Sequence, residues 1–348
     1  MQWNQFWGIS TSFIFDETLL PTGLQFKVNV TGRNPTGWSV LGWYYNGIFY
    51  ETADDLRKAM KAPGFSIPGP NVDGPWGSTD QAGEMLPNDQ LYPPISIQPD
   101  GPRFSLDIKE KYVEWSMCLS YPQLIFCTVS LIILLVDFSF YISFNKDTGM
   151  QLHNIKFKGE RIIYELGLQE ALAHYAGMDP LQSTTTYLDS QYGVGAGSFE
   201  LVGGFDCPDY ATYLNASFYT GETTHTHPNA LCIFELDTGF PLQRHLTEDY
   251  VSVTKNIIMV LRSVSTVGNY DYMFEYAFYL DGTIHVTVRA SGYIQAAYFA
   301  KNGDYGFHIH DKLSGSLHDH VLNYKLDLDI HGTANSLMKT KLVPATEV

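Results

Sequence analysis

The residues most able to do chemistry are a pair of imidazoles late in the chain and a tyrosine-rich segment ahead of them. His318-Asp319-His320 carries its two rings on one face of a strand, because side chains alternate from face to face along an extended backbone. Two imidazoles at this spacing are a common donor pair for a transition metal, and they also arise where no metal binds. The earlier segment reads Ser265-Thr266-Val267-Gly268-Asn269-Tyr270-Asp271-Tyr272-Met273-Phe274, and Asp327-Leu328-Asp329 follows the histidines. Tyrosines on a strand pack across to neighbours more often than they react. Taken one at a time, these residues leave metal binding and plain packing both open.

Together and in this order, the segments resemble the copper amine oxidases, whose motif is Asn-Tyr-Asp/Glu-Tyr followed in the same β domain by a His-x-His copper pair. The resemblance implies that Tyr270 is oxidised by bound copper and oxygen to topaquinone, with Asn269 and Asp271 beside it and His318 and His320 as copper ligands. Upstream, Thr186-Tyr187-Leu188-Asp189-Ser190-Gln191-Tyr192-Gly193-Val194-Gly195 matches the family segment that carries the catalytic aspartate. That role falls on Asp189, whose blander reading is a strand-end turn before a glycine loop. By the same resemblance Tyr187 lies at the gate of the substrate channel and Tyr175 hydrogen-bonds the quinone. A quinone carbonyl condenses with a primary amine, and the α-proton made acidic in this way needs a carboxylate close by to remove it. Desolvation in a partly apolar channel raises the pKa of such a carboxylate. The reaction implied is oxidative deamination of a primary amine by dioxygen to aldehyde, ammonia and hydrogen peroxide.

The resemblance carries further. Cys207 in Phe205-Asp206-Cys207-Pro208 and Cys232 in Leu231-Cys232-Ile233 match a pair that is disulfide-bonded in the family, and a homodimer is implied. Family members have about twice this length, and their third copper ligand is a histidine well beyond the His-x-His pair. No residue up to Val348 takes that place, so two protein ligands are expected here. Two imidazoles bind Cu(II), which leads the divalent affinity series, without fixing its geometry. The rival to an active oxidase is therefore an inactive fragment or a membrane-tethered, non-catalytic protein. His308-Ile309-His310 and His225-Thr226-His227 share the ligand spacing but do not precede the Asp-Leu-Asp strand, and read as surface or loop histidines.

The elements that must position these residues are mainly strands. Twenty-three Tyr and 21 Phe against 17% charged residues point to an aromatic, strand-rich interior. The aromatic run Trp43 to Tyr50, broken by Asn46-Gly47 and followed by Thr52-Ala53-Asp54-Asp55, reads as strand, turn, strand and short capped helix. Residues 1–63 thus read as a small α+β domain. Residues 64–101, dense in Pro, Gly and Asp, read as a linker. Residues 102–348, with alternating segments such as Ile284 to Arg289 and turns at Asp281-Gly282 and Asn302-Gly303, read as part of a large antiparallel β-sandwich.

One stretch breaks the alternation. Within residues 116–136 the uncharged run Leu124 to Val136 is about 13 residues long, short of the roughly 18 to 20 that a membrane span requires. A membrane span is the minor expectation; the major one is an insertion, such as a translated intron, between two parts of one strand region at Tyr112-Val113-Glu114-Trp115 and Asp137-Phe138-Ser139-Phe140. Cys118 and Cys127 fall inside it. A formal charge of −16 repels nucleic acid and suits a cationic substrate. Neither terminus shows a targeting signal, so the compartment stays unread.

Overall fold

A computed structural model describes residues 1–9, 17–69, 71, 74, 76, 95–116, 137–177, 179–300, 304 and 306–344. The first sheet is an antiparallel meander of β1 (Gln2–Trp7), β2 (Pro21–Asn29), β3 (Ser39–Tyr45) and β4 (Ile48–Tyr50), followed by helix α1 (Ala53–Met60). Asn46 and Gly47 both have positive φ, which matches the twist of the two strands they join. Thr52 caps α1 by accepting from the Asp55 amide, and Asp54 and Asp55 complement the positive end of the helix. The sequence reading missed β1, whose alternation is weak, and β2, where Leu24, Phe26 and Val28 alternate with Gln25, Lys27 and Asn29.

Two larger antiparallel sheets follow. One contains β5 (Phe104–Asp107), β6 (Tyr112–Ser116), β7 (Asp137–Asn145), β8 (Gly149–Phe157), β9 (Glu160–Tyr175) and the short β10 (Thr186–Leu188), which runs into the single-turn helix α2 (Asp189–Tyr192). The other is β11 (Thr212–Thr220), β12 (Thr223–Leu246), β13 (Val251–Val267), β14 (Tyr270–Phe278) and β15 (Ile284–Gly292). A small sheet of β16 (Ala297–Tyr298), β17 (Gly306–His310) and β18 (Leu313–Ser316) leads to β19 (His318–Leu328), which returns to pair with β9.

The two large sheets face each other as a sandwich. Trp115, Phe138 and Phe140 from one meet Leu231, Leu261 and Phe278 from the other, with the Phe140 and Phe278 rings stacked 4.7 Å apart. Each such ring, withdrawn from water, contributes about 2 kcal/mol. The second sheet is buried on its other face too, where Cys232, Phe234, Val260 and Ala277 lie under the segment that carries Leu201 and Cys207. Beyond Asp237 and Ile257, β12 and β13 continue as a two-stranded ribbon with Phe240, Leu242, Leu246, Tyr250, Val251 and Val253 exposed.

The flanks of the suspected insertion are not parts of one strand but neighbours in a hairpin: Trp115 pairs with Phe138 and Ser116 with Asp137. Residues 117–136 themselves, and Asn302-Gly303, lie outside the described residues. Among the described residues no helix is long and apolar enough to cross a membrane.

Candidate active site

Tyr270 opens β14 directly after a two-residue turn, Gly268-Asn269, in which Gly268 adopts φ +59°. The Asn269 side chain donates to the Tyr293 carbonyl and its own carbonyl accepts from the Tyr293 amide at 2.8 Å, so the turn is fixed from both sides. Tyr270 and Tyr272 then share one face of β14 and look across the sandwich at His318 and His320, which share one face of β19. Tyr270 Oη lies 3.0 Å from His318 Nε2, and Tyr272 Oη 2.6 Å from His320 Nδ1. Tyr175, at the end of β9, pairs in register with His318, stacks on its ring at 4.3 Å and donates to Tyr270 Oη at 3.1 Å. Burial, and then its bond to Tyr270, push the Tyr175 phenol pKa well up, so Tyr175 stays a donor.

The hydrogen bonds set the tautomers. His318 Nδ1 faces the Ser316 carbonyl at 3.0 Å, and a carbonyl only accepts, so Nδ1 carries the proton and Nε2 keeps its lone pair. The Tyr272 hydroxyl also bonds to the Asp189 carboxylate, which as an ion can only accept. Its proton therefore points at Asp189, and its oxygen receives Nδ1–H of His320, whose Nε2 is left bare in turn. Both imidazoles are thus neutral with Nδ1 engaged and a lone pair on Nε2, as a copper ion requires of its ligands, the His318 lone pair accepting the Tyr270 hydroxyl at 3.0 Å. Burial and the neighbouring His318 hold the His320 pKa down, which keeps the ring neutral. The residues present fit copper as part of a ligand set. Among the described residues no third His, Cys, Asp or Glu joins them.

Asp189, at the head of α2, is 5% exposed, and burial, with Glu170 adding a like charge, brings its pKa up to about 6. Glu170 accepts from the Ser190 amide at 3.0 Å and from its hydroxyl at 2.6 Å, which holds the turn in place. Asp189, Tyr175, Tyr187, Tyr270, Tyr272 and Gln295 line one cavity of about 200 Å³. Tyr187 sits on β10 with its ring edge-on to Tyr175 and to Tyr192, each at 5.9 Å.

The residues singled out in the sequence thus fall into one region except Asp271, which turns to the other face of β14 and accepts from Thr266 Oγ1 at 2.6 Å, and the cysteines, which are joined as Cys207–Cys232 on the far face of the second sheet. The other His-x-His pairs lie on strands rather than in loops. His225 and His227 are on β12, stacked against Phe218 and Phe199, and His308 and His310 on β17 stack on Phe299 and Trp76. Sequence reasoning gave Tyr272, Glu170, Gln182 and Gln295 no role. Tyr272 alone carried a signal, since Tyr-x-Tyr, like His-x-His, puts both rings on one face of its strand, the face that carries Tyr270.

Residues 132–348 match the family model described as copper amine oxidase, enzyme domain, and residues 16–84 match a domain of unknown function, DUF1965. The chain belongs to the copper amine oxidase family. It is 44% identical over 348 residues to copper amine oxidase vicK1 of Bipolaris victoriae, covering 99% of this chain and 46% of that one. It is 31% identical over 357 residues to the copper-containing diamine oxidase of Homo sapiens, covering 97% of this chain and 45% of that one. Its fold superposes on the Aspergillus nidulans amine oxidase with a TM-score of 0.85 at 56% identity, over 95% of this chain and 42% of that one. For the Pichia pastoris lysyl oxidase the TM-score is 0.84 at 38% identity, over 95% and 43%. The chain spans about half the length of the curated relatives it matches.

Proposed function

We propose that this chain carries the amine-handling half of a copper-dependent primary amine oxidase, which converts a primary amine and dioxygen to aldehyde, ammonia and hydrogen peroxide. The observation that carries the reading is the placement of Tyr270 Oη, 3.0 Å from the unprotonated His318 Nε2 in a cavity that also holds Asp189. In this reading Tyr270 is the precursor of topaquinone, His318 and His320 are the copper ligands, and residues 1–63, 64–101 and 102–348 are small domain, connector and partial catalytic sandwich. Topaquinone supplies an electrophilic carbonyl that takes up the amine and accepts two electrons from it.

The chain's own residues do the rest. Asp189, with its pKa near 6, is ionised at neutral pH yet basic enough to take the α-proton of the bound substrate. Tyr272 donates to Asp189 and so orients it, while Tyr175 donates to the reacting oxygen of residue 270. Tyr187, wedged between Tyr175 and Tyr192, is placed to gate entry from outside. The exposed apolar ribbon of β12 and β13 supports a homodimer. Copper and oxygen are to be added to the expressed chain and carbonyl chemistry sought with phenylhydrazine: the expected result is a coloured adduct on the Tyr270 peptide, absent from Tyr270→Phe. A folded, copper-loaded chain with no adduct would favour the second reading, an inactive fragment, for which the missing third ligand among the described residues speaks.

A further inference from the structure

Gln182 sits in the loop between β9 and β10, is wholly buried, and has both ends of its side-chain amide engaged. Its Nε2 donates to the Gln295 carbonyl at 2.9 Å, and its Oε1 accepts from Ser316 Oγ at 3.2 Å. Those two partners touch the site directly. The Gln295 amide points at Tyr270 Oη, 3.4 Å away, and the Ser316 carbonyl accepts Nδ1–H of His318 at 3.0 Å. One primary amide therefore spans the two chain segments that cap the tyrosine oxygen and the imidazole facing it.

The loop is held in turn from the N-terminal sheet. Asp179, 3% exposed, accepts from the amides of Leu181 and Gln182 at 3.1 Å and from Gln25 Nε2 of β2 at 3.0 Å. Thr18 brackets Gln295 from the same side: its hydroxyl donates to the Ile294 carbonyl at 3.0 Å, and its carbonyl accepts from the Ala296 amide at 3.1 Å. Thr18 and Gln25 both lie within the segment that matches the domain of unknown function. The sequence alone gave that segment no part in the chemistry.

We infer that Gln182 is the positioning residue that sets Tyr270 Oη against His318 Nε2, and that the N-terminal segment, through Gln25 of β2 and Thr18 in the turn ahead of it, is the template that holds it. The inference rests on the reading of Tyr270 and His318 given above. Removing the amide frees Ser316, loosens its carbonyl from His318 Nδ1 and lets the ring exchange tautomers. Supporting groups one step removed from a metal ligand typically change metal affinity by about ten- to a hundredfold.

The test uses the 348-residue chain with 15N-labelled histidine and two readouts: the His318 tautomer by NMR without metal, and Cu(II) affinity by titration with the EPR spectrum recorded at each point. Gln182→Met keeps the bulk and loses both hydrogen bonds. It is expected to turn a single Nδ1–H tautomer into a mixture and to weaken Cu(II) binding about tenfold. Gln25→Met is expected to move both readouts the same way by less. Leu152→Ala, in the sandwich core, is the control for general destabilisation, and should lower the melting temperature while leaving both readouts alone. A folded Gln182→Met with the parent's tautomer and affinity overturns the inference, as does a Leu152→Ala control that shifts both readouts equally. Should Gln182→Met not fold, parental readouts in Gln25→Met overturn it. Copper binding that survives His318→Ala would instead refute the ligand assignment, and the metal-free tautomer measurement still judges Gln182.

Discussion

Asp189 and His320 are tied by one phenol, that of Tyr272, so the proposed base and the proposed copper ligand share a hydrogen-bonding neighbour. A consequence can be measured without turnover. The Asp189 pKa is raised to about 6, from the ordinary 3.8, by burial first and Glu170 second, so the folded chain holds this proton more tightly than the unfolded one. Stability contributed at this position is full below about 3.8 and is lost as pH rises toward 6. Asp189→Asn should remove that loss: its melting temperature relative to the parent should climb between pH 4 and pH 6 and then level off. A constant difference across that range would mean that Asp189 titrates as an ordinary carboxylate. In a completed enzyme the same change should slow proton abstraction by orders of magnitude while leaving quinone formation intact, read as adduct yield against turnover. The residues legible in the sequence, Tyr270, Asp189, His318 and His320, sit in short motifs with fixed local spacing. Glu170, Gln182, Gln295 and Ser316 were not legible, because each acts on a partner brought close only by the fold, such as Ser190 for Glu170 and Gln295 for Gln182.

Among the elements, β6 and β7 show what local pattern can and cannot reveal. Their alternation is plain in Val113, Trp115, Phe138 and Phe140, all fully buried, and their adjacency could be sensed across the intervening apolar run. That they are antiparallel partners rather than one strand depends on register, which the sequence does not display. With Trp115 opposite Phe138, removal of residues 117–136 would leave Ser116-Asp137 as a two-residue hairpin loop. Deletion of 117–136 is expected to give a soluble chain with the parent's near-UV circular dichroism and a melting temperature no lower, because a shorter loop costs less to close. A deletion variant that fails to fold would show that the segment is part of the sheet's support. Transcripts without the segment would bear out the intron reading, and transcripts that all retain it would end it. The turn at Asn46-Gly47 and the cap at Thr52 were read correctly because each is specified by adjacent residues.

At the scale of the whole molecule, the sandwich was foreseeable from many short strands and an aromatic interior, but the contact between the N-terminal sheet and the site was not. The ribbon of β12 and β13 exposes Phe240, Leu242, Leu246 and Tyr250 on one projecting element. Phe240→Asp with Leu246→Asp should reduce self-association in sedimentation velocity over a concentration series, and an unchanged profile would place the contact elsewhere. Reduction of Cys207–Cys232 should cost about 3 kcal/mol of stability, measured by urea unfolding with and without reductant, and leave the cavity between the sheets intact. The two-residue turn at Gly268-Asn269 restricts what inheritance can do to such a molecule. A single inserted codon after the turn would swing both tyrosines of β14 to the opposite side of their sheet. Two inserted codons would restore the side but carry Tyr270 one pleat, roughly 7 Å, past the imidazole it now meets. The spacing from turn to tyrosine is thus frozen at both odd and even steps, while the ribbon at the opposite end of β13 is free to lengthen.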